Sequence, residues 1–160
     1  MWHPLLREEN IALGLEALNR EEALEKIVNI LPAWSLQGLE KKKILELLLL
    51  REQLGTTAIG HGIALPHCFS YEVYDPIIAF GVSPKGIPYP SLDGRPVHFV
   101  FMLILPQGEA SERLKQEILR NIKWSLCDRA MRERLKAARS ASEIHQLIVP
   151  DTQQAPALGV

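Results

Sequence analysis

The sequence predicts an α/β or α+β fold in which helices cover a central sheet. Three observations lead to this prediction. Apolar residues recur at helical spacing before residue 56 and again after Pro106, whereas glycine and proline divide residues 56–106 into short apolar runs. Within this middle region, VHFVFMLIL is apolar throughout rather than alternating. Such a run is typical of a central strand that is buried on both faces.

Length and composition exclude several classes of protein. The 160 residues suffice for one domain with its own core, and the formal net charge of −1 gives no basic excess for binding nucleic acid. The longest apolar run, VHFVFMLILP, has about ten residues, whereas a membrane-spanning helix needs roughly 20. With only Cys68 and Cys127, we expect a cytoplasmic protein with free thiols and no direct membrane insertion.

Two helices are predicted in the N-terminal part of the chain. Asn19 precedes REEALEKIVNIL and Glu22 follows three positions later, an arrangement that resembles a capping box, and Pro32 is expected to end this helix. The segment LQGLEKKKILELLLLREQL predicts a second helix that ends near Gly55. Its apolar residues at helical spacing are Leu36, Leu39, Ile44, Leu47 and Leu48.

The middle and C-terminal segments predict strands followed by helices. IAL and IIAFGV suit short strands, and Asp93–Gly94 forms a turn before the central run. Apolar residues four apart, from Leu114 to Leu126, predict a long helix, and Ser140 with Glu143 forms a capping box that begins the last one. The final stretch PDTQQAPALGV has little to bury. We therefore expect one domain at 5–149 and a flexible tail at 150–160.

The stretch GHGIALPHC, residues 60–68, carries the candidate chemistry. His61, His67 and Cys68 are all possible metal ligands, but adjacent His and Cys ligands fit one tetrahedron poorly and no CxxC or HExxH pattern supplies the others. No metal site is therefore predicted. His61 is interpreted as a polar turn residue between glycines, and His98 as an edge or core histidine.

His67 is the strongest candidate for a functional residue. Pro66 removes a backbone donor and is expected to end the IAL strand, so that His67 is presented at a strand end. Gly60 and Gly62 permit positive φ angles beside it. An imidazole with one nitrogen bonded to an acceptor leaves the other nitrogen as a nucleophile near neutral pH.

These residues also carry a family resemblance. The pattern E-x6-I-G-x2-I-A-L-P-H-C, from Glu52 to Cys68, resembles the signature of fructose/mannitol-type enzyme IIA domains of the bacterial phosphotransferase system, which include the nitrogen-regulatory enzyme IIA proteins. REENIALGLEALNREEALEKIVNIL resembles the opening helix of that family, GIPYPSLDGRPVHFVFMLILP its turn and central strand, and RERLKAARSASEIHQLI its closing helices. The resemblance covers the chain except the extreme N-terminus and the tail.

The resemblance implies a fold and an activity. The fold would be α/β, a mixed, mostly parallel central sheet with helices on both faces in a single domain. The activity would be phosphoryl relay through His67, which receives its phosphoryl group from an HPr-type phosphocarrier protein and passes it to an enzyme IIB or uses it to act on a regulatory target. Arg51 matches the arginine beside the family's site. The relay itself requires no diffusible cofactor.

The sequence departs from the family pattern at one site position. Members commonly carry a second histidine at the start of the helix after the central strand, but none lies between His98 and His145 here. Counting back from Asp128 places Lys115 at that position, or Arg113 if the count is wrong by one turn. A cation there would stabilise a phosphoryl group by charge. The alternative is that Lys115 is a solvated helix residue.

Three functions remain open at this point. The first is a phosphocarrier whose phosphorylation of His67 regulates a transporter, kinase or transcription regulator. The second is a sugar-uptake component that passes phosphate to an enzyme IIB. The third is a degenerate binding module that keeps the fold and lacks transfer, and the missing second histidine is its only support.

Overall fold

The computed structural model describes residues 5–149 and consists of a six-stranded sheet with helices on both faces. The predicted tail at 150–160 and residues 1–4 lie outside the described residues. No helix within the described range is long and apolar enough to cross a membrane. In chain order the elements are β1 (Leu6–Ala12), α1 (Arg20–Ile30), α2 (Lys41–Gln53), β2 (Ala58–Gly60), β3 (Ile63–Ala64), β4 (His67–Ser70), β5 (Ile77–Ile87), β6 (Val97–Pro106), α3 (Glu109–Leu126), α4 (Arg129–Ala137) and α5 (Ala141–Ile148).

The sheet is mixed, as predicted. Its strand order is β1-β5-β6-β3-β2, and β4 continues beside β6 after β3. Three of the five pairings between these strands are parallel, namely β1 with β5 and both β3 and β4 with β6. The pairings of β5 with β6 and of β2 with β3 are antiparallel. The strand β6 is therefore hydrogen-bonded along both of its edges.

Alternate residues of β6 supply the centre of two cores. Val100, Met102 and Ile104 lie in the core that α1 and α2 cover, whereas Phe99, Phe101 and Leu103 lie in the core that α3, α4 and α5 cover. Because successive side chains of a strand point to opposite faces, a continuous apolar run supplies both cores at once. The prediction of a central strand buried on both faces is confirmed.

Two helix starts agree with the capping patterns. The Asn19 side chain accepts a hydrogen bond from the Glu22 amide at 2.8 Å, and the Ser140 hydroxyl accepts one from the Glu143 amide at 3.1 Å. The Glu22 carboxylate bonds back to the amide of Leu18 at 2.9 Å, one residue earlier than the amide of Asn19 that a standard capping box uses. These bonds satisfy amides that a helix start otherwise leaves without partners.

The prediction that the second helix includes LQGLE is wrong. Leu36 ends a short 3₁₀ helix at Ala33–Leu36, and α2 begins only at Lys41. Gln37 has a φ of 56° and Gly38 a φ of 90°, which breaks any continuous helix. Leu36 is buried all the same, because the irregular turn directs it into the core. Spacing of apolar residues here indicates burial rather than an unbroken helix.

The N-terminal segment also differs from the expectation drawn from the resemblance. LREENIA forms β1, parallel to β5, and the helix that follows starts only at Arg20. Asn10 is buried in this strand and its amide donates to the Ile78 carbonyl at 3.1 Å. Three consecutive exposed residues after Leu6 hide the alternation that identifies a strand.

Candidate functional site

His67 stands at the start of a strand rather than at the end of one, which corrects the prediction. The IAL strand ends at Ala64, and β4 begins at His67, in parallel register with Leu103 of β6. Pro66 lies between the two strands and has no amide to donate, which accounts for the interruption of the ladder. The Pro66 carbonyl still accepts from the Leu103 amide at 2.9 Å, which holds the break against β6.

The ring of His67 is held by hydrogen bonds at both nitrogens. Its Nδ1 lies 2.9 Å from the Leu65 carbonyl oxygen, which can only accept, so Nδ1 carries the proton. Its Nε2 is therefore unprotonated, and the lone pair of this nitrogen accepts a hydrogen bond from Nε of Arg51 at 3.3 Å. The guanidinium of Arg51 also donates to the Gly55 carbonyl at 2.9 Å. His67 is thus oriented with Nε2 as the available nucleophilic atom.

Burial and nearby cations keep His67 neutral. Burial is the main cause that lowers the pKa of His67, and Arg51 and Lys115 lower that pKa further. The hydrogen bond to Leu65 and the charge of Glu52 act in the opposite direction, but the net shift of the pKa is downward. A neutral imidazole retains the lone pair that a nucleophile needs.

Lys115 lies against the same site from α3. Its Nζ is 5.3 Å from the centroid of the Phe69 ring and 2.8 Å from the Glu112 carboxylate, and its side chain is only 15% exposed. Lys115 therefore does not extend into solvent, in contrast to the alternative interpretation of it as a solvated helix residue. Arg113, the other candidate cation, is exposed. The structure thus brings Arg51 and Lys115 to the surroundings of His67.

A buried carboxylate fixes the end of α2. Glu52 is 3% exposed and accepts hydrogen bonds from the Thr57 amide at 3.3 Å, from the Thr57 hydroxyl and from the Tyr89 hydroxyl at 2.8 Å. Arg20 lies 3.6 Å away as its ion-pair partner. Because Arg51 is the preceding residue, these bonds also determine where its guanidinium is presented.

In the sequence, Glu52 stands out only as part of the family resemblance, and no pattern identifies Thr57, Tyr89 or Arg20. One signal was available. Ile44, Leu48 and Glu52 are four residues apart on the buried side of α2, so the third position of an apolar series is occupied by a carboxylate. A charged residue on an apolar helix face needs partners, because an unpaired buried charge is strongly unfavourable. The partners themselves come from distant parts of the chain.

Cys68 is not a competing nucleophile. Burial raises the pKa of its thiol to about 12, so the thiol stays protonated at neutral pH. Its side chain belongs to the core beneath α1 and α2, the face opposite to that of His67, whose β6 partner Leu103 belongs to the other core. Within residues 5–149, no group of three or more His, Cys, Asp or Glu side chains could hold a metal ion.

The glycines of GHGIALPHC are not beside His67, contrary to the prediction. Gly60, His61 and Gly62 all have positive φ angles and form the turn between β2 and β3, where the His61 amide donates to Asp93 at 3.1 Å. Gly62 adjoins His98, five residues before the β6 partner of His67. At about 3.3 Å per residue the turn is on the order of 16 Å from His67.

A shallow cavity of about 370 Å³ opens over the site. Arg51, His67 and Phe69 line it together with apolar side chains at the end of α2, including Leu50 and the residue that follows the helix, Leu54. Leu50 is 56% exposed and Leu54 is 85% exposed. Exposed leucines around a reactive group are typical of a surface that binds another protein.

Known proteins resemble this chain over nearly all of the described residues. The family model of the phosphoenolpyruvate-dependent sugar phosphotransferase system, EIIA 2, matches residues 4–149. A nitrogen regulatory protein of Bradyrhizobium diazoefficiens is 33% identical over 144 residues, which cover 90% of this chain and 92% of that protein. The crystal structure of nitrogen regulatory protein IIA-Ntr from Neisseria meningitidis has a TM-score of 0.81 at 27% identity, covering 91% of this chain and 97% of that one.

A sugar-specific relative has a similar sequence identity to this chain, but the match covers a smaller part of the relative's length. The fructose-specific EIIABC component of the phosphotransferase system of Bacillus subtilis is 36% identical over 145 residues. These residues cover 90% of this chain but only 22% of that protein. The chain therefore spans about a fifth of this relative.

The Glu52 network yields a stability prediction. Burial and the Glu52 carboxylate raise the pKa of Tyr89, so its hydroxyl stays protonated and donates to Glu52. We expect Tyr89→Phe to lower the free energy of unfolding by about 1.5–3 kcal/mol, the usual range for a hydrogen bond to a charged group. Urea unfolding measures this change. Tyr74→Phe is the control because Tyr74 is 82% exposed. Equal free energies of unfolding for the two variants would contradict the prediction.

The lowered pKa of His67 yields a prediction for pH. We expect the ring to titrate below the ordinary value of 6.5, and Arg51→Ala to raise its pKa because a neighbouring cation is lost. As the pH falls below 6.5, His67 becomes protonated in the unfolded chain before it does so in the folded protein. The free energy of unfolding therefore falls as the pH falls from 6.5 to the pKa of folded His67. His67→Gln should reduce that fall. Carbon-13 or nitrogen-15 NMR of the ring measures the pKa, and a midpoint at or above 6.5 would contradict the prediction.

Proposed function

Because the chain belongs to the EIIA 2 family of the phosphoenolpyruvate-dependent sugar phosphotransferase system, as predicted, we propose that it is a phosphocarrier that accepts a phosphoryl group on His67. One observation carries the proposal. The lone pair of Nε2 is available on a neutral imidazole, whose Nδ1 proton is bonded to the Leu65 carbonyl, and a cation lies beside it. We propose residues 5–149 as the functional unit, acting in the cytoplasm.

In the proposed reaction the donor is the phosphohistidine of an HPr-type phosphocarrier protein. Nε2 of His67 attacks phosphorus in line, and a new P–N bond forms as the donor's P–N bond breaks. The electron pair of the broken bond returns to the donor's ring nitrogen. The hydrogen bond from Nδ1 to the Leu65 carbonyl holds the ring in place throughout. The exposed Leu50 and Leu54 would contact the donor protein.

Two cations would stabilise the transferred group. A phosphoryl group brings about −1.5 to −2 charges, and one cation about 4 Å away contributes on the order of 4 kcal/mol for each unit of that charge at an effective dielectric of ~20, before desolvation costs. Arg51 would turn its Nε donor from Nε2 to a phosphoryl oxygen. Lys115, held near Phe69, would supply the second charge in place of the family's second histidine. Most of the catalysis would then be positioning and electrostatics.

We propose that the phosphorylated state regulates a target protein. The nitrogen regulatory protein of Bradyrhizobium diazoefficiens and this chain match over nearly their full lengths, which supports a regulatory role. A sugar-uptake role, with transfer to an enzyme IIB, is the second candidate, and the 36% identity to a fructose-specific component favours it. Addition of purified enzyme IIB and sugar to the phosphorylated protein separates the two. Rapid loss of phosphate to the IIB indicates uptake, and its retention indicates regulation.

Phosphorylation of His67 is directly testable. Incubation with phosphoenolpyruvate, enzyme I and the phosphocarrier protein should add one phosphoryl group, measured by intact mass, with the acid-labile and base-stable behaviour of a phosphoramidate. His67→Ala should accept none, because it lacks the nucleophile. The control, His61→Ala, should be labelled fully, since His61 lies on the distant turn. Full labelling of His67→Ala, or no labelling of the wild-type protein, would overturn the proposal.

The two cations should affect transfer rather than folding. We expect Arg51→Ala to slow single-turnover phosphorylation by about 10- to 100-fold, equivalent to about 1.4–2.7 kcal/mol. Lys115→Ala should shorten the lifetime of phospho-His67 or slow its formation, and Lys115→His should restore much of the loss. Arg113→Ala is the matched control, because Arg113 is an exposed cation on the same helix. Equal rates for Lys115→Ala and Arg113→Ala would show that Lys115 does not replace the second histidine.

A further inference from the structure

A second cavity, of about 450 Å³, lies away from the proposed phosphoryl site. It is enclosed by the turn between β2 and β3, the start of β6 and one side of α4. Four basic residues line it and only one acidic residue does. The basic residues are Arg95, Arg129, Arg132 and Lys136, and the acidic residue is Glu133.

The positive charge of this cavity is a local concentration. The whole chain has a formal net charge of −1, whereas the lining residues of the cavity sum to +3 when four cations are set against one carboxylate. Glu133 lies 3.4 Å from Lys136. The guanidinium group of Arg95 acts electrostatically on the Asp93 carboxylate, whereas that of Arg129 has no ion-pair or hydrogen-bond partner among the described residues. An excess of cations over carboxylates in a concave site attracts anions.

The walls of the cavity are already held in place. The His61 amide is bonded to Asp93 at 3.1 Å, and Nδ1 of His98 lies 2.8 Å from the Ser83 carbonyl. Arg132 donates to the carbonyls of Leu126 and Cys127 at 2.6 and 2.9 Å. These contacts fix the turn, the wall of β6 and the base of α4 before any ligand arrives. A preformed site binds more tightly because less ordering is needed.

The His98 ring fits closely between two glycines. A Cβ atom on Gly62 would lie 3.1 Å from Cδ2 of the ring, and one on Gly86 would lie 3.1 Å from Cε1. Both glycines also have positive φ angles, which side-chain-bearing residues rarely adopt. The ring is therefore held as a fixed wall of the cavity rather than as a mobile side chain.

We propose that this cavity binds a small molecule that carries a diphosphate or two closely spaced phosphate groups. Its volume is in the range of small-molecule sites, about 300–1,000 Å³. Arginine guanidinium groups bind phosphate oxygens with paired donors, and two phosphates match the net charge of +3. His98 precedes the β6 partner of His67 by five residues, on the order of 16 Å along the strand. The ligand is therefore separate from the phosphoryl group of the proposed relay.

Pyrophosphate tests this site directly. Nitrogen-15 NMR of the unphosphorylated protein, titrated with pyrophosphate while sodium chloride keeps the ionic strength constant, should show saturable shifts at the amides of Gly62, Arg95 and the first turn of α4. Orthophosphate should bind more weakly at the same amides, because it presents one phosphate group. Arg95→Ala and Arg129→Ala should each weaken pyrophosphate binding about tenfold, since each removes a charged hydrogen-bond donor.

Two control variants separate this site from the rest of the surface. Arg134→Ala removes a cation of α4 that does not line the cavity, and Arg51→Ala removes the cation beside His67. Both should bind pyrophosphate as the wild-type protein does. The proposal is overturned if the shifts do not saturate, if Arg134→Ala weakens binding as much as Arg129→Ala, or if Arg51→Ala abolishes binding. The last result would place pyrophosphate at the phosphoryl site.

Discussion

Every layer of this protein is built on β6, because both faces and both edges of that strand lie inside the molecule. Its alternate side chains supply the two cores, and its two edges pair with β5 on one side and with β3 and β4 on the other. Burial of apolar surface is the main favourable term in folding. A strand that contributes to both cores therefore determines the register of all that packs against it, including the residues of the candidate site.

The candidate site lies where the edge pairing of β6 is interrupted. Pro66 separates β3 from β4, and the Leu65 carbonyl at this break holds Nδ1 of His67. From the other face, the buried Glu52 fixes the end of α2 and so presents Arg51 to Nε2. One imidazole thus receives its orientation from β-strand geometry and its charge environment from two helices. Neither source alone would give a neutral ring beside a cation.

Two histidines in the sheet have similar hydrogen bonds but different neighbouring side chains. His67 and His98 both have Nδ1 bonded to a main-chain carbonyl, at 2.9 and 2.8 Å. The cavity over His67 is shallow and has exposed leucines, which suits a protein partner, whereas the cavity beside His98 is lined by four cations, which suits a small anion. The same ring arrangement is therefore suited to two different binding partners, because the residues around it differ.

The sequence by itself determined the α/β arrangement of a sheet covered by helices, the double burial of β6, the capped helix starts and the choice of His67 as candidate. These features depend on local patterns: a continuous apolar run, Asn19 and Ser140 before helices, and a proline beside a histidine. The tertiary structure alone decided that LREENIA is a strand, that α2 starts at Lys41 and that Tyr89 and Arg20 meet Glu52. It also separated the glycine turn from His67 and gathered the cations near His98. Such features depend on contacts between residues far apart in the chain, so the spacing of neighbouring side chains in the sequence does not predict them.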